Sequence, residues 1–172
     1  MIHYIKQDIT AVTRGIVAHG CNCQGVMGSG VAGAIKRKWP EAYNRYSELC
    51  RLMKLEHIHE HALGCIQLVE IDNDLVVANM FTQVNYGRDE RKYASPWAIE
   101  RALRFLMDRE DGQEFSKHLA GVGWNRHIIT LPVYMPKVGC GLGGLDWDSE
   151  VRPIVKEMGE KFPNTDLYIC DL

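Results

Sequence analysis

Two glycine-rich segments constrain this chain more than any other feature. The first reads His19-Gly20-Cys21-Asn22-Cys23-Gln24-Gly25-Val26-Met27-Gly28-Ser29-Gly30-Val31-Ala32. The second reads Pro136-Lys137-Val138-Gly139-Cys140-Gly141-Leu142-Gly143-Gly144. Each follows an apolar run of strand character and precedes a run of helical character. In an open α/β sheet that junction lies beyond the carboxyl ends of the strands, where ligands bind. Glycine lets main-chain N–H groups approach a ligand with no Cβ in the way. Several free N–H groups beside a helix N-terminus make an anion site. One such segment is equally well a tight turn. Two of them, each after a strand, favour a pair of loops with a diphosphate held between them.

The remaining segments alternate in the same manner. Ile2 to Lys6 and Gly15 to Ala18 read as strands, and Val31 to Lys38 and Glu41 to Met53 as helices. Pro40 suits the start of the second helix, because its missing N–H is an orphan there anyway. Cys65 to Ile71 and Leu75 to Phe81 read as strands joined by the turn residues Asp72-Asn73-Asp74. Ser95-Pro96 opens a helix to Asp108, with Ile99, Leu103 and Leu106 on one face. His127 to Met135 reads as a buried strand, Ser149 to Phe162 as a helix capped by Asp148 or Ser149, and Asp166 to Cys170 as a last strand. This order predicts an α/β sandwich with a mixed sheet. Residues 111–125 carry no clear pattern and read as a lid or an insertion. A length of 172 residues fits one domain, 1–172.

Composition narrows the partners. Hydrophobic residues make up 46% of the chain and the net charge is −2, so disorder is excluded as the main state. A nonspecific nucleic-acid binder would want a basic surface, so this net charge argues against one while leaving room for a local basic patch. No run approaches the ~20 apolar residues that cross a bilayer. The first residues lack a basic stretch followed by an apolar one. The expectation is a cytoplasmic protein without a membrane partner. The six cysteines are scattered, and are expected as reduced thiols rather than a disulfide framework.

Several literal matches mislead. Gly28-x-Gly30-x-x-Gly33 fits the dinucleotide fingerprint, but that fingerprint begins directly after its strand, and about ten residues separate Ala18 from Gly28. Cys140 has Asp146 at the sixth position after it, so no phosphocysteine loop is present. His57-x-His59-x-His61 would face one side of a strand and could bind a metal, but it lies outside both glycine segments. Trp39, Trp97, Trp124 and Trp147 could stack on a base, with core packing as the default. Lys36-Arg37-Lys38 reads as a helix C-terminus complementing the dipole. Nothing in the sequence calls for a metal or a cofactor.

Gln7-Asp8-Ile9-Thr10, then a strand running into Ala18-His19-Gly20-Cys21-Asn22, then Gly28-x-Gly30-Val31-Ala32, resembles the opening of a macrodomain. Gly139-Cys140-Gly141-Leu142 is similar to that family's second loop. His19 to Gly25, Gly28 to Ala32 and the basic stretch Lys36 to Pro40 resemble the branch of ADP-ribose 1''-phosphate phosphatases. The resemblance implies a three-layer α/β/α sandwich that binds ADP-ribose or ADP-ribose 1''-phosphate. It also implies the site residues. Asp8 would accept the adenine amino proton and Ile9 would line the adenine pocket. Asn22 would bond the distal ribose. Gly28, Gly30 and Val31 would meet the diphosphate, and Cys140, Gly141, Leu142 and Gly143 would close over it. Taken alone, Asp8 reads as a cap and Asn22 as an Asx-turn.

The implied reaction is hydrolysis of ADP-ribose 1''-phosphate to ADP-ribose and phosphate. His19, shortly before Asn22, is the expected acid or base, orienting water or protonating the departing oxygen, with Asn22 beside it. The cations of Asn85 to Lys92 would meet the terminal phosphate. A non-catalytic ADP-ribose reader is the first alternative. The second is an ADP-ribosyl hydrolase acting on protein or nucleic acid, the one way a nucleic acid would enter. A related branch uses a Lys and an Asp for that reaction, where this chain has Gln83 and Gly143.

Overall fold

A strand covered on both faces must be apolar on both, and the run from Leu75 meets that condition. In the computed structural model, which describes residues 1–108 and 127–171, this run is β4 (Leu75–Gln83), buried at every position except Gln83. Beside it lies β2 (Gly15–Asn22), parallel and in register from Gly15 against Leu75. The other strands are β1 (Ile2–Lys6), β3 (Ile66–Glu70), β5 (Val133–Pro136) and β6 (Leu167–Asp171). The sheet order is β1-β6-β5-β2-β4-β3. Every neighbouring pair is parallel except β3 with β4.

Side chains alternate across a strand, so β2 feeds two cores. Ile16 and Ala18 pack with α3 (Pro96–Met107) and α4 (Arg152–Lys161), through Ile99, Leu103, Val155 and Met158. Val17 and Cys21 face α1 (Gly30–Lys38) and α2 (Pro40–Leu55), through Ile35, Ala42, Tyr46 and Cys50. The result is the three-layer α/β/α sandwich with a mixed sheet expected from the sequence. Local chemistry follows the same reading. Ser95 Oγ accepts from Ala98 N at 3.3 Å, Pro96 and Pro40 open their helices, and Asp72 Oδ1 accepts from Asp74 N at 2.8 Å.

Four elements differ from expectation. β2 continues past Ala18 to Asn22, so His19 and Asn22 belong to a strand and not to a loop. β5 begins at Val133 rather than His127. Ile128–Thr130 is a 3-10 turn, and Pro132, with no N–H to give a ladder, precedes the strand. The helix expected from Ser149 begins as a π turn, Trp147–Val151, before α4. Its cap is Asp146, whose carboxylate accepts from Ser149 N at 2.8 Å, while Asp148 pairs with Arg152 at 3.1 Å. His57, His59 and His61 do not share a strand: His57 has φ +57° and His59–Ala62 is a 3-10 turn. The segment 111–125 lies outside the described residues. Among the described residues no helix is long and apolar enough to cross a membrane.

Candidate functional site

The carboxyl ends of β5, β2 and β4 open into a cleft of about 480 Å³. Gly20, Cys21 and Asn22 form its floor, and Gly28 to Ala32 form one wall. Pro136 to Gly139 and Gly141 to Gly143 form the other wall, and Thr82, Gln83 and Tyr86 to Arg88 close one end. The floor needs its glycine: a Cβ on Gly20 would stand 2.7 Å from Thr82 Oγ1 and 3.0 Å from Val138 Cγ2.

The walls present main-chain amides. Ser29 caps α1 without a side-chain hydrogen bond, and Gly33 N donates to Ser29 O at 3.0 Å. Among the described residues, the N–H groups of Gly28 to Ala32 have no acceptor within the chain, so the positive end of α1 faces the cleft. The second loop is closed by Cys140 N to Lys137 O at 3.2 Å, Gly144 N to Gly141 O at 3.0 Å and Leu145 N to Gly139 O at 3.0 Å. That leaves the N–H groups of Gly141, Leu142 and Gly143 for a ligand. Gly30 has φ +58°, a conformation that favours glycine. A Cβ at Gly30 or Gly141 would meet nothing within 4 Å, because both face open space. Gly143 is different: its Cβ would stand 2.6 Å from Gly139 O. Among the described lining residues only Lys137 and Arg88 are charged, and none is a carboxylate. Lys137 Nζ is held by Asp171 at 2.6 Å. The cleft is built for an anion.

The structure brings Asn22, Gly28, Gly30, Val31, Gly141, Leu142 and Gly143 together around this cleft. Asn22 shapes the first loop. Its Oδ1 accepts from Gln24 N at 2.9 Å and Val26 N at 3.3 Å, and its Nδ2 donates to Val26 O at 2.8 Å. An amide nitrogen has two N–H bonds, so one remains for a ligand. The buried Tyr46 hydroxyl lies 2.8 Å from both Asn22 O and Asn22 Oδ1 and accepts from Val26 N at 3.1 Å. Tyr46→Phe should therefore cost roughly 1–3 kcal/mol in chemical denaturation and weaken binding in the cleft, since Val26 N and Asn22 lose a buried partner.

Asp8, Ile9 and Cys140 do not line the cleft. Asp8 caps a 3-10 turn, Ile9–Ala11, accepting from Thr10 N and Thr10 Oγ1 at 2.8 Å, which holds its carboxyl below the usual range. Ile9 is buried against α1 and β2. This turn touches α1 and β5, which puts it at the β5 end of the cleft. Cys140 turns its thiol to Val138 O at 3.4 Å, and burial pushes the thiol up to about 11.

His19 does not stand where the sequence led us to expect it. The extension of β2 puts its ring on the α2 face, fully buried and outside the cleft lining. His19 Nε2–H donates to Asn79 Oδ1 at 2.8 Å. Asn79 Nδ2 donates to Gln67 Oε1 at 3.1 Å and Ala42 O at 3.3 Å, and Gln67 Nε2 donates to Arg45 O at 3.1 Å. This polar chain ties β2, β4 and β3 to α2. Burial lowers the imidazole pKa to about 4, so it is neutral at ordinary pH. Cys21 Sγ sits 3.8 Å from His19 Nδ1, superficially a Cys–His–Asn array. The thiol is 3% exposed and burial raises its pKa, so it is no nucleophile. The expected acid or base, His19, therefore does not reach the cleft, whereas Asn22 does.

Sequence reasoning missed Tyr46, whose only signal was an aromatic on the buried face of α2. It named the 85–92 cations as a group, and only the structure separates Arg88 from the others. Of the tryptophans, Trp39 and Trp147 are core residues and Trp97 is 54% exposed away from the cleft.

Residues 18–74 match the Macro domain family model. The ADP-ribose 1''-phosphate phosphatase of Candida albicans is 27% identical over 86% of this chain and 88% of its own length. The macrodomain protein of Streptomyces coelicolor superposes with a TM-score of 0.70 at 26% identity, over 100% of this chain and 99% of that one. The macrodomain of Mycobacterium tuberculosis DarG has the same fold, with a TM-score of 0.73 at 23% identity over 100% of this chain and 98% of that one.

Proposed function

We propose that this chain, which has the macrodomain fold and resembles that family in sequence, binds ADP-ribose and hydrolyses ADP-ribose 1''-phosphate to ADP-ribose and phosphate. One observation carries the reading: two facing walls of unpaired main-chain amides in a cleft that no carboxylate lines among the described residues. Such a cleft holds a diphosphate without side-chain charge. The similarity to yeast phosphatases over most of the chain supports the reaction.

In this reading the pyrophosphate sits between Gly30–Val31 and Gly141–Gly143, with adenine toward the 3-10 turn at Asp8 and Ile9. The distal ribose then lies by Asn22, toward the β4 end. Water attacks the terminal phosphorus and the P–O bond to C1'' breaks. The departing oxygen takes a proton and remains as the ribose hydroxyl. Among the described residues the lining holds no imidazole and no carboxylate, and what these lining residues supply is positioning and electrostatics. Gln83, whose Nε2 donates to Asn85 O at 2.8 Å, keeps its carbonyl oxygen at the distal end for water.

The test is to incubate the chain with ADP-ribose 1''-phosphate and assay free phosphate, with calorimetry on ADP-ribose alongside. Phosphate release, inhibited by added ADP-ribose, is expected. Binding without release would leave a reader rather than an enzyme, and no binding of either compound would end the proposal.

A further inference from the structure

The segment after β4 carries three cations, and two are already used. Arg91 Nη2 lies 2.7 Å from Asp89 Oδ2 and 3.0 Å from the Tyr93 hydroxyl, which itself donates to Asp89 Oδ1 at 2.8 Å. These donors lower the Asp89 pKa to about 2. Lys92 Nζ reaches Glu150 at 2.7 Å. Arg88 makes no ion pair among the described residues, and it is the one cation of the three that lines the cleft.

Its place along the cleft follows from the sheet order. The 3-10 turn holding Asp8 touches β5, whereas Arg88 follows β4, and β2 lies between these strands. Arg88 therefore stands at the end opposite Asp8, beyond Asn22. Its backbone is also fixed. A Cβ on Gly87 would fall onto the Tyr93 hydroxyl, and Tyr93 N and Ala94 N both donate to Gly143 O, at 2.9 and 3.0 Å. The Asp89–Arg91–Tyr93 clasp thus fastens the segment carrying Arg88 to the second glycine loop.

We infer that Arg88 grips the terminal phosphate and makes the cleft select ligands with a phosphate on the distal ribose over bare ADP-ribose. This rests on the ADP-ribose reading of the cleft and adds the group that tells the two ligands apart. A guanidinium offers two parallel N–H donors that match phosphate oxygens, and an unpaired one has no acid to give up first.

Calorimetry and steady-state kinetics on the full chain, its Arg88→Gln variant and its Arg88→Lys variant test this, with ADP-ribose and ADP-ribose 1''-phosphate as probes. Arg88→Gln should weaken 1''-phosphate binding ~10–100-fold and raise KM, while ADP-ribose affinity changes less than about 2-fold. Arg88→Lys should restore part of the loss, since it keeps the charge without the fork. Equal weakening of both ligands, or unchanged 1''-phosphate binding, would overturn the inference while leaving the ADP-ribose reading intact. If the unaltered chain binds neither ligand, both fall. If it binds both but releases no phosphate, selective loss in Arg88→Gln still upholds the role of Arg88.

Discussion

Replacing Gly141 with glutamate is expected to weaken ADP-ribose binding at least ~100-fold, because a carboxylate set against a diphosphate costs several kcal/mol. The fold should not notice. Gly141 is exposed, its φ is not in the left-handed range, and a Cβ there meets nothing within 4 Å. Surface changes of this kind usually stay within ±0.5 kcal/mol, or about 2 °C in the melting temperature of a domain this size. Calorimetry and a thermal melt on the same sample separate the two effects. Binding that survives Gly141→Glu would mean the nucleotide does not pass between the loops. Gly143→Glu would not make this distinction, because its Cβ collides with the Gly139 carbonyl and would deform the loop itself.

The second large effect concerns acid stability. The folded state holds His19 at a pKa of about 4, while the unfolded chain has the ordinary value near 6.5. Above pH 6.5 both states are neutral at this ring and its burial carries no pH penalty. As the pH falls, the unfolded chain takes up the proton first, so stability drains away between pH 6.5 and about 4. The loss should reach roughly 2–3 kcal/mol near pH 4.5, read as a falling denaturation midpoint. His19→Gln should lack this slope, although it starts less stable at pH 7.5 through disturbance of the Asn79 bond. Its turnover per folded molecule should stay close to that of the unaltered chain. A variant of full stability that had lost turnover would instead return His19 to the chemistry.

The same histidine shows where the sequence was readable and where it was not. The order of strands and helices could be read because β4 is apolar throughout and because Pro40, Ser95 and Pro96 mark helix starts. The glycine loops could be read because only a ligand or a turn explains such spacing, and the Gly28-Gly30-Gly33 match is no dinucleotide fingerprint, as even a strand ending at Asn22 stops short of Gly28. His19 misled because Gly20 hid the continuation of β2, and a one-residue alternation decides whether a ring meets the cleft or α2. Asn22 carried both its readings at once, forming an Asx-type loop and still lining the cleft. Arg88 could not be separated from Arg91 and Lys92, because ion pairing with Asp89 and Glu150 depends on a folded loop.

The pairing of β1 with β6 has a kinetic consequence. Ile2 lies opposite Leu167 and Lys6 opposite Asp171, so among the described strands β1 pairs with β6 alone. Contacts so distant along the chain must pay loop-closure entropy before any reward arrives. During synthesis β1 emerges before β6 and waits, its backbone donors and acceptors unmatched, until β6 has followed it out of the ribosome. The nascent chain's vulnerable interval is therefore set by the sheet's closing edge, since β1 pairs with β6 and not with the β2–β4 pair at the middle of the sheet.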